Sequence, residues 1–153
     1  MIGLAQALLV SLGNLLYVGI QCLHPLLFIL AACVNSIVFT LIIYSLVFAL
    51  ENIGLAVSVI VMILQVAGGG GSFPVEVLPP VFRVMHPFMP FRYAMDAMRE
   101  CIGGMYGHTY IACLGILILF GIAAIAFGLL LHKPMRGIIE KVEESKRESD
   151  VML

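Results

Sequence analysis

Apolar residues fill four long stretches of the chain, and the polar side chains inside them are few. The stretches cover residues 2–20, 25–50, 53–68 and 110–131, and none of them contains a charged residue. An α-helix needs about 20 apolar residues to cross the hydrocarbon core of a bilayer. The stretches do not alternate between apolar and polar positions, as the strands of a membrane barrel would. The pattern therefore predicts an all-α integral membrane protein with four transmembrane helices.

The composition supports the same class. Hydrophobic residues make up 62% of the 153 residues and charged residues 11%, whereas about a quarter of an ordinary soluble domain is charged. A soluble enzyme and a disordered chain are therefore excluded. Eight Lys and Arg residues against nine Asp and Glu residues leave no positive field for nucleic acid. The expected partner is the lipid bilayer, and no nucleic acid is expected.

The positions of the cations predict the orientation. The tail formed by residues 132–153 has five Lys and Arg residues, and the segment 69–109 has three. Because cytoplasmic segments are enriched in Lys and Arg, we expect the tail on the cytoplasmic side of a plasma membrane. Four crossings then place both termini in the cytoplasm and segment 69–109 outside. Residues 1–131 form the predicted multi-pass membrane domain, and the charged tail is interpreted as a solvated extension of the fourth helix.

The region between the third and fourth stretches has the most distinctive sequence. Its candidate motif residues are Gly68, Gly69, Gly70, Gly71, Pro74, Pro79, Pro80, Pro87, Pro90, Arg92, Asp96, Arg99 and Glu100. A run of glycines permits unusual backbone angles and close approach of another segment, and it predicts the end of the third helix. The double proline predicts a short helix from Pro80 through His86, which the next two prolines end.

From Phe91 the pattern becomes that of an amphipathic helix, with ions on one face and apolar residues on the other. Such a helix is expected to be re-entrant or interfacial, with its apolar face towards lipid and its ions in water. Arg92 and Asp96 have i,i+4 spacing, and Asp96 and Arg99 have i,i+3 spacing, which predicts ion pairs on a solvated face. The alternative interpretation is a docking surface for a substrate or an extracellular domain.

Four amide side chains interrupt the apolar stretches, at Gln6, Asn14, Asn35 and Gln65. One interpretation is helix packing, because amides form hydrogen bonds between neighbouring membrane helices. The other is a polar path through the membrane. None of the four is ionisable, which favours packing.

No arrangement of residues indicates catalysis or the binding of a cofactor or metal. The glycine run is not followed by the lysine that a phosphate-binding loop needs, and the four histidines lack the spacing of a zinc site. The four cysteines have no paired spacing, although a single bridge between Cys22 and Cys101 stays open. We therefore expect no enzyme activity, no cofactor and no metal, which leaves binding or transport.

Several motifs resemble those of a known family. They are Leu64-Gln65-Val66-Ala67 with the glycines through Pro74, then Val77-Leu78-Pro79-Pro80, then Pro87-Phe88-Met89-Pro90-Phe91-Arg92-Tyr93-Ala94, then Met98-Arg99-Glu100-Cys101-Ile102-Gly103-Gly104. In this order they are similar to the C-terminal membrane region of the YhgE/Pip proteins, the bacterial "phage infection proteins". Those proteins are related to the permeases of type-2 ABC exporters. The resemblance extends from the first helix to the charged tail.

The resemblance implies an architecture and a function. The family's plan has six helices with a large extracellular domain between the first two, so this chain would supply helices three to six of a larger protein. It implies a permease-like module that moves a substrate with energy from a separate ATPase. The alternatives are a non-transporting receptor or scaffold, for phage infection or secretion, and a truncated fragment. The implied partners are an ATPase subunit, the missing N-terminal half or a second copy of the chain.

Overall fold

The computed structural model of the chain describes residues 1–71, 77, 79–104 and 108–150, with the backbone alone at residue 52 and residues 132–150. Every regular element in these residues is a helix, which confirms the all-α class. The elements are α1 (Ile2–Leu16), α2 (Pro25–Gly68), α3 (Pro80–Met85), a 3₁₀ helix (His86–Phe88), α4 (Pro90–Gly103) and α5 (Thr109–Asp150).

A sharp reversal divides α2 into a first half, Pro25–Glu51, and a second half, Ile53–Gly68. Glu51 at the reversal has a φ of 49° and a ψ of −124°, a combination that residues other than glycine rarely adopt. A Cβ atom on Gly54 would lie 2.7 Å from the Cα atom of Val47. The two halves therefore pack as a tight helical hairpin, and glycine at position 54 lets their backbones meet.

The first apolar helix is shorter than its sequence predicts. α1 ends at Leu16 rather than at residue 20, because Gly19 adopts a φ of 67° and the Val18 N–H bonds to Gly13 O, five residues back, at 3.2 Å instead of to the carbonyl four residues back. A glycine with positive φ just beyond the last turn is a common helix terminator. The apolar residues after Leu16 therefore belong to the connection to α2.

Two helical segments have the length and hydropathy of a membrane span. They are the first half of α2, with 27 residues, and Thr109–Leu131 of α5, with 23 residues. α1 and the second half of α2 are apolar but shorter. The described residues thus contain two candidate spans, which indicate a membrane protein. The sequence predicts four crossings, and the other two are not confirmed.

α1 runs antiparallel to the first half of α2. A Cβ atom on Gly3 would lie 3.1 Å from Ser36 Oγ, which places the start of α1 beside the middle of the first half of α2. Near the other end of α1, Leu15 packs against a buried cluster that includes Phe28. α1 therefore covers one side of the first half of α2.

α5 runs parallel to the first half of α2 and is its main packing partner. At one end the Tyr110 hydroxyl donates a hydrogen bond to Leu27 O at 2.9 Å. Further along, the Ser45 hydroxyl donates to Ala124 O, and Gly128 packs directly against Ser45. Small residues at this contact let the two helices approach closely, as is usual between membrane helices.

α4 runs antiparallel to both of these helices. Near its start, the Phe91 and Phe39 rings have centroids 6.1 Å apart. At its end, Cys101 O accepts the His24 N–H at 3.4 Å. Gly69, just beyond the second half of α2, lies against the Phe91 ring. The second half of α2 and α4 therefore stand end to end, and we refer to this pair of helices as the fourth column of the bundle.

The apolar face of α4 is covered by protein. Ala94, Ala97 and Cys101 are buried against α2 and α5, whereas Ile102 is 37% exposed. This packing differs from the expected interfacial helix, whose apolar face would contact lipid. The small side chains on this face explain the difference, because they let α4 dock closely on its neighbours.

The backbone of α5 continues beyond its apolar part as one helix to Asp150. It therefore includes most of the predicted tail, and residues 151–153 lie outside the described residues. The backbone of this part of the tail is a helical extension of the fourth apolar segment, and its solvation stays a prediction.

Candidate functional site

The break in the fourth column brings the glycine run against the start of α4. We call residues 86–90, which connect α3 to α4, the elbow. A Cβ atom on Gly68 would lie 2.7 Å from Met89 Sδ in the elbow, and one on Gly71 would lie 3.2 Å from Phe91 Cε1. The absence of side chains on the glycines thus allows the elbow to fit against the end of α2.

Two side chains bind backbone carbonyls at this break. His86 Nδ1 lies 2.9 Å from Gly68 O, and because a carbonyl oxygen only accepts, Nδ1–H is the donor. Arg99 Nη2 donates to Gly70 O at 2.9 Å. The last carbonyls of a helix have no partner inside the helix, and a cation is favourable there because the helix dipole is negative at this end. His86 and Arg99 therefore hold the two parts of the column together.

The ions of α4 form the local pairs that their spacing predicts. Arg92 Nε lies 3.6 Å from Asp96 Oδ2, and Arg99 Nη1 lies 3.4 Å from Asp96 Oδ1. The side chains are 37%, 35% and 55% exposed for Arg92, Asp96 and Arg99. Exposed pairs of this kind contribute about 0.2–1 kcal/mol to stability. Their contribution to a docking surface stays a prediction.

An apolar groove of about 380 Å³ opens beside the break. Both halves of α2, the elbow and α5 contribute to its walls. Residues from these elements include Ile42, Val61, Gln65, Phe88, Phe120 and Phe127. A second, smaller groove of about 280 Å³ lies between the first half of α2 and α5, lined by residues such as Tyr44 and Leu129.

Gln65 is the polar exception in the larger groove. Its side chain is 6% exposed, and its Oε1 atom has no hydrogen-bond partner among the described residues. Leaving a buried acceptor without a partner costs about 1–3 kcal/mol. An orphaned amide that lines a groove is therefore a candidate contact for a bound molecule. Of the other amides, Gln6 is exposed on α1, and Asn35 Oδ1 is also buried without a partner.

The predicted motif residues that the structure describes lie in three places. Those at the break are Gly68, Gly69, Gly70, Gly71, Pro87, Pro90 and Arg99. Those that start α3 are Pro79 and Pro80, both exposed. Those further along the partly exposed face of α4 are Arg92, Asp96 and Glu100. Pro74 lies outside the described residues.

Two contributors to the site were not predicted. His86 is 18 residues from Gly68 in sequence, and the sequence contains no signal that would connect them. Tyr93 donates from its hydroxyl to Pro87 O at 2.9 Å and so braces the elbow. Gln65 was visible in the sequence as one of the four amides in the apolar stretches, for which helix packing was the favoured interpretation.

Cys22 and Cys101 meet near the far end of α4, as free thiols. Cys22 Sγ lies 3.0 Å from Cys101 O. Cys101 itself is buried. Within the part of the chain that the structure describes, no cluster of His, Cys, Asp and Glu side chains could hold a metal ion.

One known protein is similar to the chain in sequence. The chain is 30% identical over 149 residues to YhgE of Bacillus subtilis (strain 168), an uncharacterized protein. The match covers 97% of this chain and 19% of YhgE, so the chain spans about a fifth of the length of that relative. This similarity supports a relationship to YhgE. No protein-family model matches the chain, and no solved structure matches it.

Proposed function

We propose that the chain is a permease-like module of a membrane transporter, of the kind found in type-2 ABC exporters, which moves a substrate with energy from a separate ATPase. The observation that carries this proposal is the broken fourth column beside an apolar groove. In many transporters, interrupted helices near the middle of the membrane build the substrate site, because the break exposes backbone groups there.

The height of the break supports this interpretation. Phe91 contacts Phe39, which lies about 21 Å along α2 at 1.5 Å per residue. The first half of α2 has 27 residues, so Phe39 is close to its midpoint. If this half crosses the bilayer, the elbow lies near the middle of a hydrocarbon core of about 30 Å. Irregular backbone is tolerated at that depth only where protein covers it or where it lines a cavity.

The depth of the charged side chains of α4 also supports transport. Arg92 and Asp96 follow the elbow along the first half of α2, so they would also lie within the span of that helix. Charged side chains at membrane depth are costly, and they usually face a water-filled cavity or a substrate path. Their mutual pairing at 3.6 Å lowers that cost.

The orientation follows from the cations. We infer a multi-pass protein of the plasma membrane with both termini in the cytoplasm, because the tail has five Lys and Arg residues. The glycine run lacks the lysine of a phosphate-binding loop, so ATP hydrolysis would come from another subunit, which the tail would contact. The relationship to YhgE, of which the chain spans 19%, suggests that further helices from a longer protein, a separate chain or a second copy complete the assembly.

A receptor or scaffold without transport is the second candidate. The observation that favours it is the partly exposed, ion-paired face of α4, with Arg99 55% exposed. Charge reversal at Arg92 and Arg99 should then abolish phage adsorption or the capture of a secretion component. If adsorption and capture are unchanged in a variant that still folds, this second candidate is rejected.

The test of the preferred function is co-purification in mild detergent followed by reconstitution. We expect a nucleotide-binding subunit to copurify, and its ATPase rate to depend on the break. Gly69→Leu would push against the Phe91 ring and should lower the rate at least tenfold. Gly115→Leu, on α5 where an added Cβ meets no other atom, is the matched control and should leave the rate unchanged. Repeated purifications that recover no such subunit would contradict the proposal.

A further inference from the structure

We infer that Cys22 and Cys101 are the partners of a reversible disulfide, which fastens the connection between α1 and α2 to the end of α4. The inference rests on the orientation proposed above only for the compartment in which the bond forms, because that orientation places this end of the bundle outside the cell. It does not depend on transport, and the bond can be measured in the absence of any ATPase.

The fold brings these two cysteines together from distant parts of the chain. They are 79 residues apart in sequence, and Cys22 Sγ lies 3.0 Å from Cys101 O. A carbonyl oxygen is about 2.4 Å from the Cα atom of its own residue. The Cys22 sulfur is therefore within about 5.5 Å of Cys101 Cα, whereas a typical disulfide joins Cα atoms that are about 5.5–6 Å apart. The two sulfur atoms can meet after a movement of Cys22 alone.

The backbone that carries Cys22 can adjust to the bond. Cys22 lies between the end of α1 at Leu16 and the start of α2 at Pro25, in a connection without regular structure. The His24 N–H lies 3.4 Å from Cys101 O and keeps this connection beside α4. A disulfide requires a specific geometry. An irregular segment can reach that geometry without breaking a ladder of helical hydrogen bonds.

The two thiols differ in access, and this difference sets the order of the chemistry. Cys22 is partly exposed, whereas Cys101 is 0% exposed. A low-molecular-weight disulfide such as oxidised glutathione can therefore reach Cys22 first. The Cys22 thiolate attacks one sulfur of the oxidant, which forms a mixed disulfide and releases one reduced glutathione. The Cys101 thiolate then attacks Cys22 Sγ and releases the second, so one protein disulfide forms, one oxidant disulfide is reduced, and both protons pass to glutathione.

The other two cysteines are less suited to this reaction. Cys113 belongs to the same buried cluster as Cys101 and is 7% exposed, so an oxidant reaches neither thiol of that pair. Cys33 is eight residues beyond the start of α2, which places it about 12 Å from this end of the bundle. The structure therefore favours one pairing, between Cys22 and Cys101.

The compartment and the topology both favour the bond. Disulfides form and persist outside the cell, where the proposed orientation places the end of α4. A bridge between residues so far apart in sequence restricts the unfolded chain strongly, and so it stabilises the folded one. In the oxidised protein, α4 would be fixed covalently to the connection, whereas hydrogen bonds hold it there in the reduced protein.

The experiment counts free thiols in the purified full chain in detergent. Cys33→Ala is the background, because Cys33 is partly exposed and is open to the oxidant by itself, and it leaves three thiols. The reduced protein is incubated with oxidised glutathione, denatured and labelled with a PEG-maleimide, which shifts the band on a gel once for each free thiol. We expect the count to fall from three to one, and reduction with a phosphine to restore it.

Substitutions in this background separate the roles of the two partners. Cys101→Ala should retain one glutathione on Cys22, because the thiol that would displace it is missing. Cys22→Ala should keep both of its thiols free. Cys113→Ala is the matched control at a buried cysteine, and it should still form the bridge and lose both thiols. Oxidation should raise the midpoint of thermal unfolding by at least about 5 °C in the background and leave that of Cys22→Ala unchanged.

Three outcomes would overturn the inference. One is a thiol count that oxidised glutathione does not change in the Cys33→Ala background. Another is a bridge that persists in Cys22→Ala, or that is lost in a Cys113→Ala protein that still unfolds cooperatively, since Cys101 would then pair with Cys113. The third is equal incorporation of glutathione in Cys22→Ala and Cys101→Ala. Purifications that recover no ATPase subunit, by contrast, would reject the proposed transport and leave the disulfide unaffected.

Discussion

The first half of α2 and α5 form a pair that differs from the fourth column. The difference lies in the hydrogen-bond partners of the backbone N–H and C=O groups. The pair consists of long, continuous apolar helices of 27 and 23 residues, which bond their own peptide groups and meet through small residues. The fourth column is interrupted at Gly68, and it depends on side chains such as His86 and Arg99 to bind the carbonyls that the break exposes. The continuous pair is therefore held by helix packing, whereas the broken column depends on polar side-chain contacts at the break.

The largest expected effect is at Gly54, where the backbones of the two halves of α2 are in contact. Gly54→Val should destabilise the protein by about 3 kcal/mol, because its Cβ would meet Val47 Cα and Leu46 O, which are backbone atoms that cannot rotate away. Thermal unfolding in detergent measures the loss. Gly13→Val, where an added Cβ meets no other atom, should cost far less. Equal losses would show that the hairpin is not closely packed.

A smaller effect should separate the two arginines of α4. Arg99→Gln removes the hydrogen bond to Gly70 O and one ion pair, and it should cost about 1 kcal/mol. Arg92→Gln removes an ion pair without that carbonyl contact and should cost about 0.3 kcal/mol. Chemical unfolding of the two variants gives the difference. A larger loss for Arg92→Gln would mean that the break is not held by Arg99.

The smallest expected effect is a gain. Glu51→Gly should stabilise the protein by about 0.5 kcal/mol, since glycine adopts the φ of 49° without the strain that a side chain causes there, although it also loses more entropy on folding. Glu51→Gln keeps the strain and should change stability little. If both variants behave alike, the reversal of α2 does not store strain at this residue.

The two regions also differ in how far sequence could predict them. The starts of α2 and α5 lie within one residue of the starts of their apolar runs. The end of α1 does not match the end of its run, because Val18 and Ile20 are apolar while Gly19 between them turns the chain. Hydropathy reports the water affinity of side chains, and it does not report the backbone angle that a glycine adopts.

The packing of α4 could not be predicted for a different reason. An amphipathic helix can cover its apolar face with lipid or with protein, and the periodicity is the same in both cases. The choice is made by contacts over long sequence separations, such as Phe39 with Phe91 and His24 with Cys101. Ala94 and Ala97 were the available hint, since small residues favour helix contact over lipid. The ion pairs of α4 depend on local spacing alone, and for that reason they were predictable.

The unbroken length of α5 has a mechanical consequence. Its 42 residues extend about 63 Å, more than the 40–45 Å of a bilayer with its head groups. Phe127 lines the groove, and the helix continues for 23 further residues, about 35 Å, to Asp150. A tilt of about 10° at the groove would therefore move the far end by about 6 Å. Because α5 is one continuous helix, a displacement at Phe127 would be carried to the charged tail and enlarged there.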